Sequence, residues 1–116
     1  MKILLSLILS LSTYLYGYAI LPTQFHFRHY NIENGISSNN ISSILQDQKG
    51  FIWISTDNGL SRFDGNQFTF YQKSNPLYSN LHANSINTIC ETNTNELWIG
   101  TDNGVFIYNQ VKDTFT

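Results

Sequence analysis

Phe51-Ile-Trp-Ile-Ser-Thr-Asp-Asn-Gly-Leu60 returns as Glu96-Leu-Trp-Ile-Gly-Thr-Asp-Asn-Gly-Val105, and the register between the copies holds without a gap. Trp53 falls on Trp98, Ile54 on Ile99, and Thr56-Asp57-Asn58-Gly59 on Thr101-Asp102-Asn103-Gly104. Upstream, Asn39, Ile41 and Ile44 fall on Asn84, Ile86 and Ile89. The period of about 45 residues, Trp53 to Trp98, is that of a supersecondary unit stacked against copies of itself. Such a unit cannot bury its own faces, so neighbours must cover them. Two copies make the chain resemble the opening of a larger stack.

Strand signals dominate the repeats. Ile41 to Gln46 is short and apolar at 41, 44 and 45, and Asp47-Gln48-Lys49-Gly50 after it is a turn cluster. Phe51 to Ile54 is a continuous apolar run, the pattern of a strand covered on both faces. Asp57-Asn58-Gly59 predicts a tight hairpin, because Asn and Gly tolerate positive φ. Leu60 to Phe63 gives a third strand, Asp64-Gly65-Asn66 a turn, and Gln67 to Tyr71 a fourth strand. The second unit predicts strands over Ile86 to Glu91, Glu96 to Thr101, Val105 to Tyr108, and from about Thr114. Four short antiparallel strands joined by hairpins make one propeller blade.

These boundaries divide the chain into a leader at 1–19, a leading strand and connection at 20–36, a first blade at 37–72 and a second at 73–116. Gln72 to Ala83 is polar, contains Pro76 and is the inter-blade connection. Phe25-His26-Phe27-Arg28-His29-Tyr30 reads as an outer strand belonging to neither blade. The fold class is all-β: a propeller fragment of two four-stranded antiparallel blades plus that orphan strand, ending inside the last strand of the second blade.

Met1-Lys2, the apolar Ile3 to Leu11 and the small residues of Gly17-Tyr18-Ala19 form a signal peptide pattern with cleavage before Ile20. The apolar stretch is short for a span of about 20 residues, and Tyr14, Tyr16 and Tyr18 interrupt its end. The expected location is the periplasm. Beyond the leader, Arg28, Lys49, Arg62, Lys73 and Lys112 are scattered among eight acidic residues. The basic stripe of a nucleic-acid binder is missing.

Cys90 is the only cysteine, so no disulfide can form within the chain. It aligns with Leu45 and is expected as a buried small apolar residue. His26, His29 and His82 have no metal-ligand spacing with Cys90 or with carboxylates, and no cofactor is expected. Asp57 and Asp64 lack the dense oxygen-ligand spacing of a calcium loop. The acidic residues pair on no face at a spacing suited to general acid–base work, so no catalytic residue is assigned. Trp53 and Trp98 are expected to fill the gap between neighbouring blades. Thr56, Asp57, Thr101 and Asp102 are expected to bond their turn backbones, with Gly59 and Gly104 closing the hairpins.

The run from Gly35-Ile-Ser-Ser-Asn39 through Leu45-Gln-Asp47, Gly50-Phe-Ile-Trp-Ile-Ser-Thr56 and Gly59-Leu60 to Asp64-Gly65 resembles the first repeat of the two-component regulator propeller family. It departs by Ile36 for Leu and Ser55 for Gly. The second unit keeps Trp98-Ile99-Gly100-Thr101 and Gly104 but carries Asn95 and Glu96 where the first has Gly50 and Phe51. The resemblance implies the exported sensor part of a membrane-anchored regulator, typically a hybrid histidine kinase responding to polysaccharide breakdown products. Its partners would be the remaining blades of a larger parent and an oligosaccharide ligand. Membrane attachment would come only through other parts of that parent. The loops around Ser37 to Asn40 and Ala83 to Ser85 are ligand candidates by position alone. The alternatives are an exported interaction or glycan-binding scaffold without a kinase, and a nonfunctional remnant.

Asp47-Gln48-Lys49-Gly50-Phe51-Ile52-Trp53 also resembles the Asp-box hairpin of sialidase-type propellers, in which the Asp caps the turn and the Trp packs beneath. Glycoside hydrolysis would need arginines clustered for a sugar carboxylate, and Arg28 and Arg62 lie on different strands. The reading is therefore of a chain that is not an enzyme.

Overall fold

The computed structural model describes residues 1–15, 24–72, 74–75, 81 and 85–116. Two four-stranded antiparallel sheets follow one helix. The helix α1 spans Lys2–Leu15, and a single 3-10 turn covers Ile32–Asn34. The first sheet is β1 (Ile41–Gln46), β2 (Ile52–Thr56), β3 (Gly59–Phe63) and β4 (Phe68–Tyr71), paired in chain order. The second is β5 (Ile86–Glu91), β6 (Leu97–Thr101), β7 (Gly104–Asn109) and β8 (Thr114–Phe115), with the same order. Among the described residues no helix is long and apolar enough to cross a membrane. The expected cleavage point before Ile20, Pro76 and His82 lie outside the described residues, as do Ala83 and Asn84.

The repeat holds in the pairing of the first three strands of each sheet. Ile44 faces Ile54, Leu45 faces Trp53, and Ile54 faces Ser61 in the first sheet; Ile89 faces Ile99, Cys90 faces Trp98, and Ile99 faces Phe106 in the second. Both inner pairs carry a register irregularity at matched places, Ile41 to Ser43 and Ile86 to Thr88. The turn after β1 needs a positive φ, which Gly50 supplies at 90° and Asn95 supplies at 62° in the second unit. Asn is among the few residues with a side chain that tolerate this region, so the sequence departure keeps the turn.

The core lies between the sheets. Trp53, Leu60 and Tyr71 from the first meet Ile89, Leu97, Ile99, Tyr108 and Phe115 from the second, with Leu81 of the connection among them. Trp53 stacks on Tyr71 at 5.7 Å and meets the edge of Tyr108 at 4.9 Å. Such offset and edge-on ring pairs each add roughly 0.5–1.5 kcal/mol beyond their area. Polar contacts tie the sheets as well: Ser42 Oγ donates to the Ile86 carbonyl, and the Glu91 carboxylate accepts the Gln48 N–H at 3.0 Å.

Two expectations fail here, for one reason. Trp98, expected to fill a gap between blades, is 40% exposed, whereas Trp53 is fully buried. Cys90, expected to be buried, is exposed, whereas its counterpart Leu45 packs against the core. Both sit on the face of the second sheet that no described residue covers. The third difference concerns residues 25–30, expected as a strand. They form no ladder and pair with neither sheet. Tyr30 instead packs its ring on Phe63 and Phe68, at 5.2 and 5.5 Å.

Candidate functional site: the joint between the blades

The turn from β1 to β2 is built around Asp47, which is 4% exposed. One carboxylate oxygen accepts the backbone N–H groups of Lys49 at 3.0 Å and Phe51 at 2.9 Å. The other accepts the indole N–H of Trp53 at 2.8 Å. One side chain thus closes the turn and fixes the ring that fills the inter-blade space. The second unit does the same job more weakly. Thr92 stands at this place and its hydroxyl accepts the Glu96 N–H at 3.2 Å, while the Trp98 indole reaches Glu96 at 3.4 Å.

Above Trp53 lies Arg62 of β3. Its guanidinium carbon sits 5.0 Å from the centre of the Phe51 ring and 5.6 Å from those of Trp53 and Tyr71. It donates to the Tyr108 hydroxyl at 2.7 Å and lies 3.7 Å from the Asp113 carboxylate. Asp113, held at a positive φ of 52°, accepts the hydroxyls of Tyr108 at 2.5 Å and Tyr71 at 2.9 Å. Burial raises the Tyr71 phenol far above its ordinary value and pushes Tyr108 up to about 12. Both therefore stay neutral donors at physiological pH.

Asp47, Lys49, Phe51, Trp53, Arg62, Tyr108 and Gln110 line a cleft of about 250 Å³ at this joint. That is below the usual range for small-molecule pockets, roughly 300–1,000 Å³. Its charges are balanced within the joint, Arg62 against Asp113. The arrangement is suited to locking one blade against the next.

The loop candidates behave differently from a free binding loop. The Ser37 N–H donates to Ser61 Oγ at 2.9 Å, and its hydroxyl bonds Thr56 Oγ1 at 2.8 Å. Asn58 Nδ2 donates to the Ser37 carbonyl at 3.2 Å, and Asn40 Nδ2 donates to Asp57 at 2.9 Å. Hydrogen bonds from Ser38 and then Asn40 hold the Asp57 carboxyl below its ordinary range. This network pins the 37–40 segment to the β2–β3 hairpin. In the second loop only Ser85 is described, and its carbonyl accepts the Asp102 N–H at 3.4 Å.

The hairpin residues divide their labour. Thr56 Oγ1 donates to the Gly59 carbonyl at 2.9 Å and accepts the Asn58 N–H at 3.1 Å. Thr101 repeats both bonds with Gly104 and Asn103, at 2.9 and 3.0 Å. The threonines, not Asp57 and Asp102, make these turn bonds. Gly59 is required by space as well as by φ: a Cβ there would lie 2.5 Å from the Tyr71 carbonyl. Gly104 meets no such neighbour.

Arg62, Tyr108 and Asp113 escape a reading that follows the repeat: Ile107 and Phe63 stand at the places matching Arg62 and Tyr108, and Asp113 lies in a connection two residues longer between Tyr108 and Phe115 than between Phe63 and Phe68. The signal was present as departures from the repeat rather than agreement with it.

Residues 35–58 and 80–103 each match the sequence pattern of the two component regulator propeller family. Both segments are two-component regulator propeller repeats. Over 54 residues the chain is 36% identical to histidine kinase P4 of Formosa agariphila, covering 47% of this chain and 4% of that protein. Among solved structures, it is similar to the extracellular domain of a one-component system of B. thetaiotaomicron. That likeness has a TM-score of 0.68 and 28% identity over 80% of this chain and 14% of the other. It is also similar to the extracellular domain of a hybrid two-component system of the same organism, with a TM-score of 0.64 and 31% identity over 77% and 13% of the two chains. The chain thus spans about a seventh of the solved domains it resembles. The two sheets are propeller blades, and these structural neighbours are extracellular.

Proposed function

We propose that the chain supplies the opening blades of an exported sensor propeller in a two-component regulator, anchored in the inner membrane and responsive to an oligosaccharide. The observation that carries the reading is the pairing of two regulator-propeller repeats with a likeness, at 28 and 31% identity, to extracellular domains of such systems. The role of these blades is mechanical. The Arg62–Tyr108–Asp113 joint and the Asp47–Trp53 turn hold two blades as one stiff unit. A ligand bound by loops of several blades then shifts the whole domain rather than one hairpin. The pinned 37–40 loop fits a fixed wall of such a site.

The test has two parts. An antibody to the Lys73–Ala83 segment is used on fractions of the native cell. A large membrane-bound band is expected, and a small soluble periplasmic band would overturn the sensor reading. Deleting the codons for residues 41–116 and profiling transcripts on a panel of oligosaccharides tests the stimulus. Loss of the response to one glycan class is expected. An unaltered transcript profile on every glycan would overturn the oligosaccharide.

A further inference from the structure

Arg62 uses only part of its capacity to donate. Its guanidinium lies over the Phe51 ring, an arrangement that leaves the edges of the group free for hydrogen bonds. Its polar contacts with described residues all leave from Nη1, toward Tyr108 and Asp113. On the opposite edge, formed by Nε and Nη2, Nε is buried and finds no acceptor among the described residues. Gln110 Nε2 is likewise a buried donor with no acceptor among them. Both residues line the cleft of about 250 Å³ at the joint, and so does Lys49, whose ammonium pairs with no carboxylate among the described residues. Asp47 also lines it, but its oxygens already take three N–H donors. Donors are therefore in excess in this cleft. Its walls come from the facing sides of the two blades, not from either outer face.

We infer that the cleft is a binding site for a small carboxylate, to which Arg62 offers its Nε–Nη2 edge, Gln110 its amide and Lys49 its ammonium. A planar anion with two oxygens matches that edge, because its two N–H bonds run parallel. Water would accept the same donors but would then need acceptors for its own hydrogens. Chloride has no second atom for a two-point grip. The cleft admits few atoms beyond the carboxylate, and the Phe51 ring on its wall suits a short alkyl tail such as that of propionate. Asp47 in the cleft and Asp113 behind Arg62 offset the two cations, so affinity in the millimolar range is expected. A ligand held by both blades fastens the joint, since it binds only the folded form. The inference does not depend on what the parent protein senses.

The chain as matured by an expressing bacterium is labelled with nitrogen-15 and titrated with sodium propionate at about pH 6, above the carboxylate range. Sodium chloride at matched ionic strength and propionamide serve as comparisons, with circular dichroism on each sample. Saturable shifts of the Arg62 Nε–H and Gln110 amide signals are expected with propionate alone, together with a rise in the urea midpoint. Gln110→Glu puts a tethered carboxylate in the place of the donor and should abolish the response. Arg62→Lys keeps the charge but loses the fork, and should bind at least about tenfold more weakly. Where Arg62→Lys also loses the β spectrum, Gln110→Glu and Lys49→Gln carry the test. Arg28→Gln, on the leading segment, removes a charge outside the cleft and should bind as the native chain does.

Several results overturn the inference. Equal shifts with chloride would mean that any anion acts there, and equal shifts with propionamide that a neutral acceptor suffices. No shift of either signal would mean that the cleft takes no carboxylate, as when a turned Gln110 amide lets its own Oε1 accept from Arg62. An undiminished response in Gln110→Glu would place the ligand elsewhere. A native chain without a β spectrum would remove the cleft, and the inference with it.

Discussion

Asp47→Ala should cost far more than the matched substitution Thr92→Ala, although both sit at the same place in the repeat. Alanine at 47 leaves three donors without their acceptor: the Lys49 and Phe51 backbone N–H groups and the Trp53 indole. The indole is fully buried, and an orphaned buried donor costs about 1–3 kcal/mol. The two backbone donors are half-buried and partly recover water, so about 0.5–1 kcal/mol each is reasonable. The sum is about 2–5 kcal/mol. Thr92→Ala removes one exposed bond to the Glu96 N–H, worth about 0.5–1 kcal/mol.

Urea unfolding is followed by circular dichroism of the β band, which reads variants with and without Trp53 on the same scale. Trp53→Phe removes the indole donor, so the Asp47→Ala/Trp53→Phe double variant should lose about 1–2 kcal/mol less than the sum of the singles. Equal costs for Asp47→Ala and Thr92→Ala would refute the argument. So would strict additivity of Asp47→Ala with Trp53→Phe, because the carboxylate–indole bond would then carry no stability.

Gly59→Ala should destabilise by about 3 kcal/mol or more, combining the cost of a positive φ with a Cβ 2.5 Å from a backbone oxygen. Gly104→Ala, with φ of 116° and open space, should cost about 1–2 kcal/mol in the same urea assay. Ser55→Ala should be neutral or stabilising by up to about 1 kcal/mol, because the fully buried Ser55 hydroxyl has no partner among the described residues. A clear loss of stability there would show that the hydroxyl is bonded in solution. Alkaline pH should weaken the joint: Tyr71 and Tyr108 have raised folded-state values, so their contribution is complete below the unfolded phenol value of about 10 and is lost as pH rises through about 12. Urea midpoints measured from pH 8 to 11 should fall above about pH 10, and less so in Tyr108→Phe.

The strands were legible because short apolar runs, Asn-Gly hairpins and the Asp64-Gly65 turn are local signals, and repetition tests most of them against a copy. Burial was less legible. The sequence assigns Trp53 and Trp98 the same environment, yet only one is covered, because exposure depends on place in the stack rather than on the residue's own segment. Cys90 follows the same rule. Residues 25–30 carry strand composition, but a strand is a property of a pair, and neither sheet pairs with them. Asp47 was readable from the Asp-x-x-Gly-x-x-Trp spacing. Its replacement by Thr92 weakens the same device without removing it.

What repetition hides is as informative as what it reveals. Residues that agree between the units build a blade, and any blade could use them. A specific joint needs the opposite. Arg62 on the first blade must meet Tyr108 and Asp113 on the second, and an identical copy with Arg at 107 would point a second guanidinium outward with no acid to receive it. Ile107 stands there instead. The same logic separates two parts of the joint. Its apolar part, Trp53 and Leu60 against Ile86 and Ile89, uses residue types that recur at matched positions and could serve any blade. The Arg62 cluster occurs once among the described residues, between the inner faces. Arg62→Met should therefore weaken the joint and lower the urea midpoint, because the Asp113 carboxylate loses its guanidinium. If Arg62→Met leaves that midpoint unchanged, the cluster gives the joint no advantage and the distinction fails.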